Sequence, residues 1–209
     1  MKTLAATILL TISFCYVGIA DFRMNFTVSD YVTFKSKYNL HGFASVQAYF
    51  GALIPNYQAN MEHAWAAGYN HVDIVITPCH FDDCSNPEMI VNKVLDSLEG
   101  ENFQMFWISL NSDHFSTDVE YNRKFILRMI EMIDNDKRDV GIRSWQGDSY
   151  SKIFGNWDGL KNYPLWYISY NNVASFDDFV SFGGWVKPTM KSFQQIAQTS
   201  DAFADIFYY

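Results

Sequence analysis

The stretch Val72-Asp73-Ile74-Val75-Ile76 is apolar except for one acidic residue, and a helical pattern stands on each side of it. Upstream, apolar residues recur at steps of three and four and stop at Gly68, a typical helix end. Downstream, Asn86-Pro87-Glu88 offers a capping side chain followed by proline, which is typical of a helix start. A strand between two helices predicts a βαβ unit and therefore a parallel sheet.

The same alternation of strand-like runs and helical patterns continues to about Gly155, and strand-like runs without helices follow. The further runs lie at 43–49, 103–110, 140–142, 164–170, 187–194 and 204–209. This order predicts an α/β barrel with an irregular second half. In such barrels, functional side chains stand where strands end and loops begin.

The N-terminus has the pattern of a secretory signal. Lys2 supplies one positive charge, the run from Leu4 to Ile19 is uncharged, and small residues precede Asp21. The alternative is a membrane anchor, but the apolar run is shorter than the roughly 20 residues that a spanning helix needs. We therefore predict a signal at 1–20, cleavage after Ala20, a secreted protein and one domain at 21–209.

Charge narrows the range of partners. The 209-residue chain has a formal net charge of -8. A surface of this sign repels nucleic acid and anionic membranes, so neither is a predicted partner. We expect a monomer.

Two cysteines remain beyond the predicted signal, Cys79 and Cys84. An even pair in a secreted chain favours a disulfide, which here would close a short loop. A zinc site with the His and Asp residues between them is the alternative, but the spacing matches no common ligand pattern. No metal and no cofactor are predicted.

Several motifs match one enzyme family in order and spacing. They are Ala64-Trp65-Ala66-Ala67-Gly68-Tyr69, Val72-Asp73, Pro78-Cys79, Gly141-Ile142, Tyr163-Pro164-Leu165-Trp166-Tyr167, Phe182-Gly183-Gly184-Trp185 and Asp205-Ile206-Phe207-Tyr208-Tyr209. In these motifs the chain resembles the glycoside hydrolase family 25 lysozymes of nematodes and amoebae. The resemblance implies a modified TIM-like barrel of about five βα units followed by three strands. It also implies an ancestral muramidase, which cleaves the glycan of bacterial peptidoglycan.

The acidic positions of that family carry neutral residues here. Family members have an Asp at the end of the first strand and an Asp-x-Glu at the end of the fourth. The match places Ser109 and Asn111 on the Asp-x-Glu pair and Asn25, within Met24-Asn25-Phe26, on the first-strand Asp. Glycoside hydrolysis needs a carboxylic acid to protonate the leaving oxygen and usually a second carboxylate. The resemblance therefore predicts a catalytically impaired or inactive protein.

Three acids could take over the lost role, namely Asp73, Asp113 and Asp205. Asp73 and Asp205 match acidic positions that the family keeps near the barrel mouth, and Asp113 stands two residues beyond Asn111. We favour hydrogen-bonded strand-end carboxylates over a rebuilt catalytic pair. Rescue by Asp113 remains the alternative.

Aromatic and polar side chains near the predicted mouth are candidates for glycan contact. We expect Trp107 and Trp166 first, because indole rings stack on sugars, and then Tyr170 and Arg143. Arg143 stands where the family pattern suggests Tyr, which makes the mouth more polar. Asn25-Phe26-Thr27 is also a glycosylation sequon. A glycan on Asn25 would then emerge beside the ancestral cleft, and an unmodified Asn25 is the alternative.

The residues and the resemblance together leave three candidate functions. The first is a secreted lysozyme-like protein, impaired or inactive, that binds peptidoglycan or a related glycan, with the role in innate defence that the resemblance implies. The second is an active muramidase with a displaced acid. The third is a secreted protein-interaction module.

Overall fold

The computed structural model describes residues 16–20, 26–38, 40–49, 51–79, 86–145, 147–199 and 202–208. Strands and helices alternate up to residue 154, and strands follow. The strands are β1 Tyr16–Ala20, β2 Leu40–Tyr49, β3 Ala52–Leu53, β4 His71–Thr77, β5 Met105–Leu110, β6 Asp139–Trp145, β7 Leu165–Ile168, β8 Met190–Thr199 and β9 Ala202–Tyr208. The helices are α1 Val28–Tyr38, α2 Tyr57–Ala66, α3 Pro87–Ser97, α4 Val119–Asn135 and α5 Asp148–Phe154, with a 3₁₀ turn at Ser112–His114. In these ranges no helix is long and apolar enough to cross a membrane.

The sheet closes on itself. Parallel pairs run from β1 through β2, β4, β5, β6 and β7 to β8. The antiparallel strand β9 then joins β8 to β1, and the two-residue β3 lies on β2. Each of α1 to α5 follows one parallel strand of the first five, and β7, β8 and β9 complete the barrel. The predicted α/β barrel of five βα units followed by three strands is confirmed.

The central strands are buried on both faces, which explains why 71–77 reads as an almost unbroken apolar run. Val72, Ile74 and Ile76 pack outward among the helices, whereas Val75 packs inward. Inside the barrel Val75 joins the cluster Trp107, Trp166 and Met190. Side chains two residues apart on a strand share a face. Alternate residues of β4 therefore pack against the helices, and those between them pack inside the barrel.

The predicted start of α3 is confirmed. The Asn86 side chain accepts a hydrogen bond from the backbone N of Met89 at 3.0 Å, and Pro87 occupies the first helical position. Cap and proline act locally, so this boundary is fixed by three consecutive residues.

The first strand lies earlier than the family resemblance suggested. Placing its end at Met24-Asn25-Phe26 is wrong, because β1 ends at Ala20. Phe26 instead leads into α1, with a buried ring and a backbone N that donates to Asn60 Oδ1 at 3.0 Å. Asn25 lies outside the described residues, as does Asp21, the next residue of the sequence after β1.

The position of β1 changes the expectation for the N-terminus. Cleavage after Ala20 would remove the strand that pairs with both β2 and β9, so both neighbours would become open edges. We therefore predict that a secreted form retains Tyr16. Ser13 and Cys15, small residues three and one positions before Tyr16, fit a signal-peptidase site. N-terminal sequencing of protein recovered from the medium checks this, and a mature chain beginning at Asp21 would contradict it.

Candidate functional site

The carboxyl ends of the parallel strands form one rim of the barrel, where the predicted site residues should meet. In the register of the sheet, Ser109 on β5 lies beside Arg143 on β6, and Arg143 lies beside Trp166 on β7. Asp205 reaches the same region from β9. Three strands thus contribute polar side chains that contact one another near the mouth, and Trp166 packs beneath them from a fourth strand.

Arg143 connects the mouth residues. Its Nη1 donates to Ser109 Oγ at 3.0 Å, and its Nη2 donates to Asp205 Oδ2 at 2.8 Å. The side chains of Arg143 and Asp205 are only 13% and 8% exposed, so solvent screens this ion pair weakly. The guanidinium carbon also lies 5.0 Å from the centroid of the Trp166 ring. The hydroxyl of Ser109 is therefore held by a cation.

Asp205 accepts two further hydrogen bonds on the same oxygen. Tyr170 Oη donates to Oδ2 at 2.7 Å, and Ser192 Oγ donates to it at 3.2 Å. Burial and the neighbouring carboxylate raise the pKa of Tyr170 above its usual value, against a smaller opposing effect of Arg143. Tyr170 is consequently a neutral donor at physiological pH. Asp205 is a hydrogen-bonded, ion-paired carboxylate rather than a free acid.

Asn111 takes part in a turn at the rim. Its Oδ1 accepts a hydrogen bond from the backbone N of Asp113 at 3.2 Å and so caps the 3₁₀ turn that follows β5. Asp113 is exposed on this turn, with a long contact of 3.4 Å from Ser112 Oγ to its carboxylate. Asp113 stands apart from the hydrogen-bond network of Arg143 and Asp205.

Asp73 does not lie at the mouth. The pairing of β4 with β5 puts it beside Met105, four residues before Ser109, which is roughly 13 Å along the strand. It is fully buried, with Oδ1 accepting from the backbone N of Met105 at 3.2 Å and Oδ2 accepting from Trp107 Nε1 at 2.7 Å. Its predicted place near the rim is corrected, because strand register sets the depth of a side chain and sequence spacing does not.

Asp73 should make stability fall as pH rises. Burial raises its pKa to about 7, and the hydrogen bonds from Trp107 and Met105 only partly offset this. Because the folded-state pKa exceeds the unfolded one, the stabilising contribution is complete below about pH 4 and is lost as pH rises through 7. Each unit by which the folded-state pKa exceeds the unfolded-state pKa changes the free energy of unfolding by about 1.4 kcal/mol. We expect Asp73→Asn to remove this slope in urea unfolding between pH 4 and 7.

The exposed carboxylate of Asp113 supplies the control for that measurement. Asp113→Asn removes the same side-chain charge from an exposed turn, so the slope of this variant is the reference for Asp73→Asn. The interpretation of Asp73 fails if the parent protein and Asp73→Asn lose stability in parallel over this range.

Trp107 and Trp166 fill the barrel. They are 2% and 0% exposed, and their ring centroids lie 5.5 Å apart at 86°, an edge-to-face contact. A Cβ placed on Gly141 would come within 2.3 Å of the Trp107 ring, so the ring lies directly over that glycine. Neither indole offers a face to a sugar, which corrects their expected position at the mouth. The alternation of side chains along a strand identified the face on which the two rings lie, but it did not show how deeply they lie in the barrel.

Trp145 is an exposed aromatic side chain at the rim, where the sequence predicted Trp107 and Trp166 first. It is the last residue of β6, is 39% exposed and packs edge-on against Tyr170 at 5.3 Å and 82°. Tyr170 itself is half-buried. The feature that could have identified Trp145 is its position at the end of a barrel strand.

Two further predictions stay untested. Cys79 is buried, but Cys84 lies outside the described residues, so the disulfide stays a prediction. Asn25 lies outside them too, and its glycosylation stays a prediction. Among the residues that the structure does describe, no group of three His, Cys, Asp or Glu side chains could hold a metal ion.

Known proteins resemble this chain in sequence. A family model described as Lysozyme-like protein 1 matches residues 15–193. The Probable GH family 25 lysozyme 5 of Dictyostelium discoideum is 29% identical over 192 residues, which cover 90% of this chain and 87% of the relative. Lysozyme-like protein 5 of Caenorhabditis elegans is 29% identical over 133 residues, or 63% and 62% of the two chains.

Solved structures share the fold at low sequence identity. A muramidase from Acremonium alcalophilum has a TM-score of 0.67 at 11% identity and is covered over 93% of both chains. The modular autolysin LytC of Streptococcus pneumoniae, solved with a synthetic peptidoglycan ligand, has a TM-score of 0.68 at 10% identity. That match covers 93% of this chain and 47% of LytC.

Proposed function

Because this chain belongs to the lysozyme-like proteins of glycoside hydrolase family 25, we propose that it binds peptidoglycan or a related glycan and cleaves it weakly or not at all. One observation carries the proposal: the end of β5 presents Ser109 and Asn111, which are neutral and already hydrogen-bonded. Glycoside hydrolysis needs an acid to protonate the leaving oxygen and usually a second carboxylate on the other side of the bond.

Three residues of the described mouth, Ser109, Asn111 and Asp205, do not supply that acid. The Ser109 hydroxyl titrates far above neutral pH, and the Asn111 amide has no acidic proton to give. Asp205 accepts hydrogen bonds from Arg143, Tyr170 and Ser192 on the same oxygen, so that oxygen already has three donors. A general acid or base typically contributes about 10²–10⁴ in rate, so losing two such groups should leave little turnover.

Glycan binding remains compatible with this chemistry. LytC, which shares the barrel, was solved with a synthetic peptidoglycan ligand. In the present chain the mouth combines an internally neutralised ion pair with the partly exposed polar and aromatic side chains Asn111, Tyr170 and Trp145. Such a surface suits a hydroxyl-rich, uncharged ligand better than a strongly charged one.

The proposal is tested by measuring binding and turnover on the same material. Purified protein is incubated with insoluble peptidoglycan; co-sedimentation reports binding, and released reducing ends report cleavage. We expect co-sedimentation with release close to that of a buffer blank, and an active muramidase serves as positive control. Rapid release of reducing ends would overturn the impaired-enzyme proposal, and failure to co-sediment would leave a protein-interaction module as the better account.

A displaced acid is the second candidate, and the exposure of Asp113 favours it. This carboxylate stands on the turn directly after Asn111, without an ion-pair partner among the described residues. If the parent protein releases reducing ends and Asp113→Ala does not, Asp113 has replaced the lost acid. Asp21, which follows β1 in the sequence, is the next position to substitute.

We also propose that the protein is secreted and acts in defence against bacteria. The uncharged run after Lys2 supports secretion, and the family supports the choice of target. Detection of the protein in the culture medium of expressing cells tests secretion. Retention of all of it inside the cells would contradict the idea.

A further inference from the structure

The six tryptophans differ in their exposure, and all six lie in the described ranges. Trp145 is exposed, whereas the other five are buried or half-buried. It ends β6 at the rim, where β5 and β7 flank it on both sides. Packing in the core therefore does not account for the exposed part of this indole.

Trp145 is also held in place. The Tyr170 ring packs edge-on against it, and the Tyr170 hydroxyl donates to Asp205 Oδ2 at 2.7 Å. Asp205 is fixed in turn by Arg143. A ring on a strand end, supported by a tyrosine that is itself anchored, loses little conformational entropy when a ligand stacks on it.

A hydrogen-bond donor follows the end of the neighbouring strand. Leu110 pairs with Ser144, and Asn111 and Trp145 are the residues that directly follow this pair along the two chain segments. The Asn111 Oδ1 caps the turn, while its Nδ2 donates to none of the residues that the structure describes. The side chain is half-buried and lies at the rim. Its amide protons are available to an acceptor on a ligand.

From these contacts we infer that Trp145 and Asn111 form one binding site for an N-acetylated pyranose. The sugar ring stacks on the indole, and the carbonyl oxygen of the acetamido group accepts a hydrogen bond from Asn111 Nδ2. An aromatic face supplies apolar contact area, and the amide supplies direction. The inference rests on the proposed glycan binding and assigns a new role to Asn111, which becomes a binding residue instead of a lost acid.

The pair carries no formal charge, which gives the site a recognisable signature. Binding through stacking and neutral hydrogen bonds should change little with ionic strength, whereas a site for an anionic group would weaken as salt is added. The acetamido group should be needed, because it supplies the acceptor for Asn111.

The test uses the full chain with a soluble trimer of N-acetylglucosamine, and tryptophan fluorescence and calorimetry report binding. We expect Trp145→Ala to weaken binding at least tenfold. Asn111→Leu should lose the preference for the acetylated trimer over a glucose trimer. The matched control is Leu127→Ala, an apolar side chain on α4 that is 43% exposed; it should bind like the parent.

Three outcomes overturn the inference: no binding of the acetylated trimer by the parent, unchanged binding by Trp145→Ala, or equal loss in Leu127→Ala. Co-sedimentation with peptidoglycan separates this failure from that of the proposed function. If the parent binds peptidoglycan and Trp145→Ala binds it equally well, glycan binding stands and the assigned site is wrong. If the parent binds neither material, the proposed function fails as well.

Discussion

Replacing Asp178 by Asn is expected to lower the free energy of unfolding by about 3 kcal/mol, because it leaves a buried ammonium without its counter-ion. Lys191 on β8 is 0% exposed, and its Nζ donates to Asp178 Oδ1 at 2.7 Å and to the carbonyl oxygen of Ser175 at 3.0 Å. Asp178 is 29% exposed, which places the expected loss at the lower end for a buried pair.

The Asp178 carboxylate also organises the segment between β7 and β8. It accepts hydrogen bonds from the Tyr167 hydroxyl, from Ser169 Oγ at 2.8 Å and from Asn171 Nδ2 at 2.9 Å. No helix covers this connection, unlike the earlier ones. The carboxylate therefore ties a long irregular segment to two barrel strands.

Urea unfolding of Asp178→Asn measures the loss. The double variant with Lys191→Met should recover much of it, because an apolar side chain of similar length removes the unpaired charge. Asp158→Asn is the matched control, since its pair with Lys161 is exposed and its loss should be hard to detect. A midpoint for Asp178→Asn equal to that of Asp158→Asn would show that the buried pair does not matter.

The triple variant Ser109→Asp, Asn111→Glu and Arg143→Tyr is expected to release reducing ends from peptidoglycan at least ~10²-fold faster than the parent protein. The first two changes introduce the acids that the family resemblance implies at these positions. The third is needed because Arg143 Nη1 already lies 3.0 Å from Ser109 Oγ. A carboxylate introduced at position 109 would enter an ion pair shared with Asp205, which holds it charged and oriented toward the guanidinium.

The comparison of variants isolates the effect of the arginine. The double variant Ser109→Asp and Asn111→Glu should gain less activity than the triple one, and Arg143→Tyr alone should gain none. Each variant is checked for folding by urea unfolding before activity is measured. A folded triple variant that remains as inactive as its parent would show that the barrel mouth has lost more than its acids.

Local signals predicted much of the fold. Asn86 and Pro87 fix the start of α3 within a few residues, and the apolar run at 72–76 identifies β4 by itself. The position of β1 could not be found in this way, because an uncharged segment ending in small residues is equally typical of an export signal. What distinguishes the two is pairing with β2 and β9, and β9 is remote in the sequence.

The candidate site was harder to predict than the fold. The family resemblance identified Ser109, Asn111 and Asp205 as relevant, but their partners depend on strand register. The bond from Arg143 to Asp205 joins β6 to β9 and has no local signal. The depth at which a side chain is buried could not be predicted either, which is why Trp107 was expected at the mouth in place of Trp145.

The pairing of β1 with β9 has a consequence for biosynthesis. Ile19 lies opposite Asp205, so the seam of the barrel joins β1 to β9, a strand that is translated after all the others described above. A domain generally folds as a unit. Here the edges of β1 and β8 must wait until β9 has emerged, and a chain stalled before that point would expose both to aggregation or chaperones.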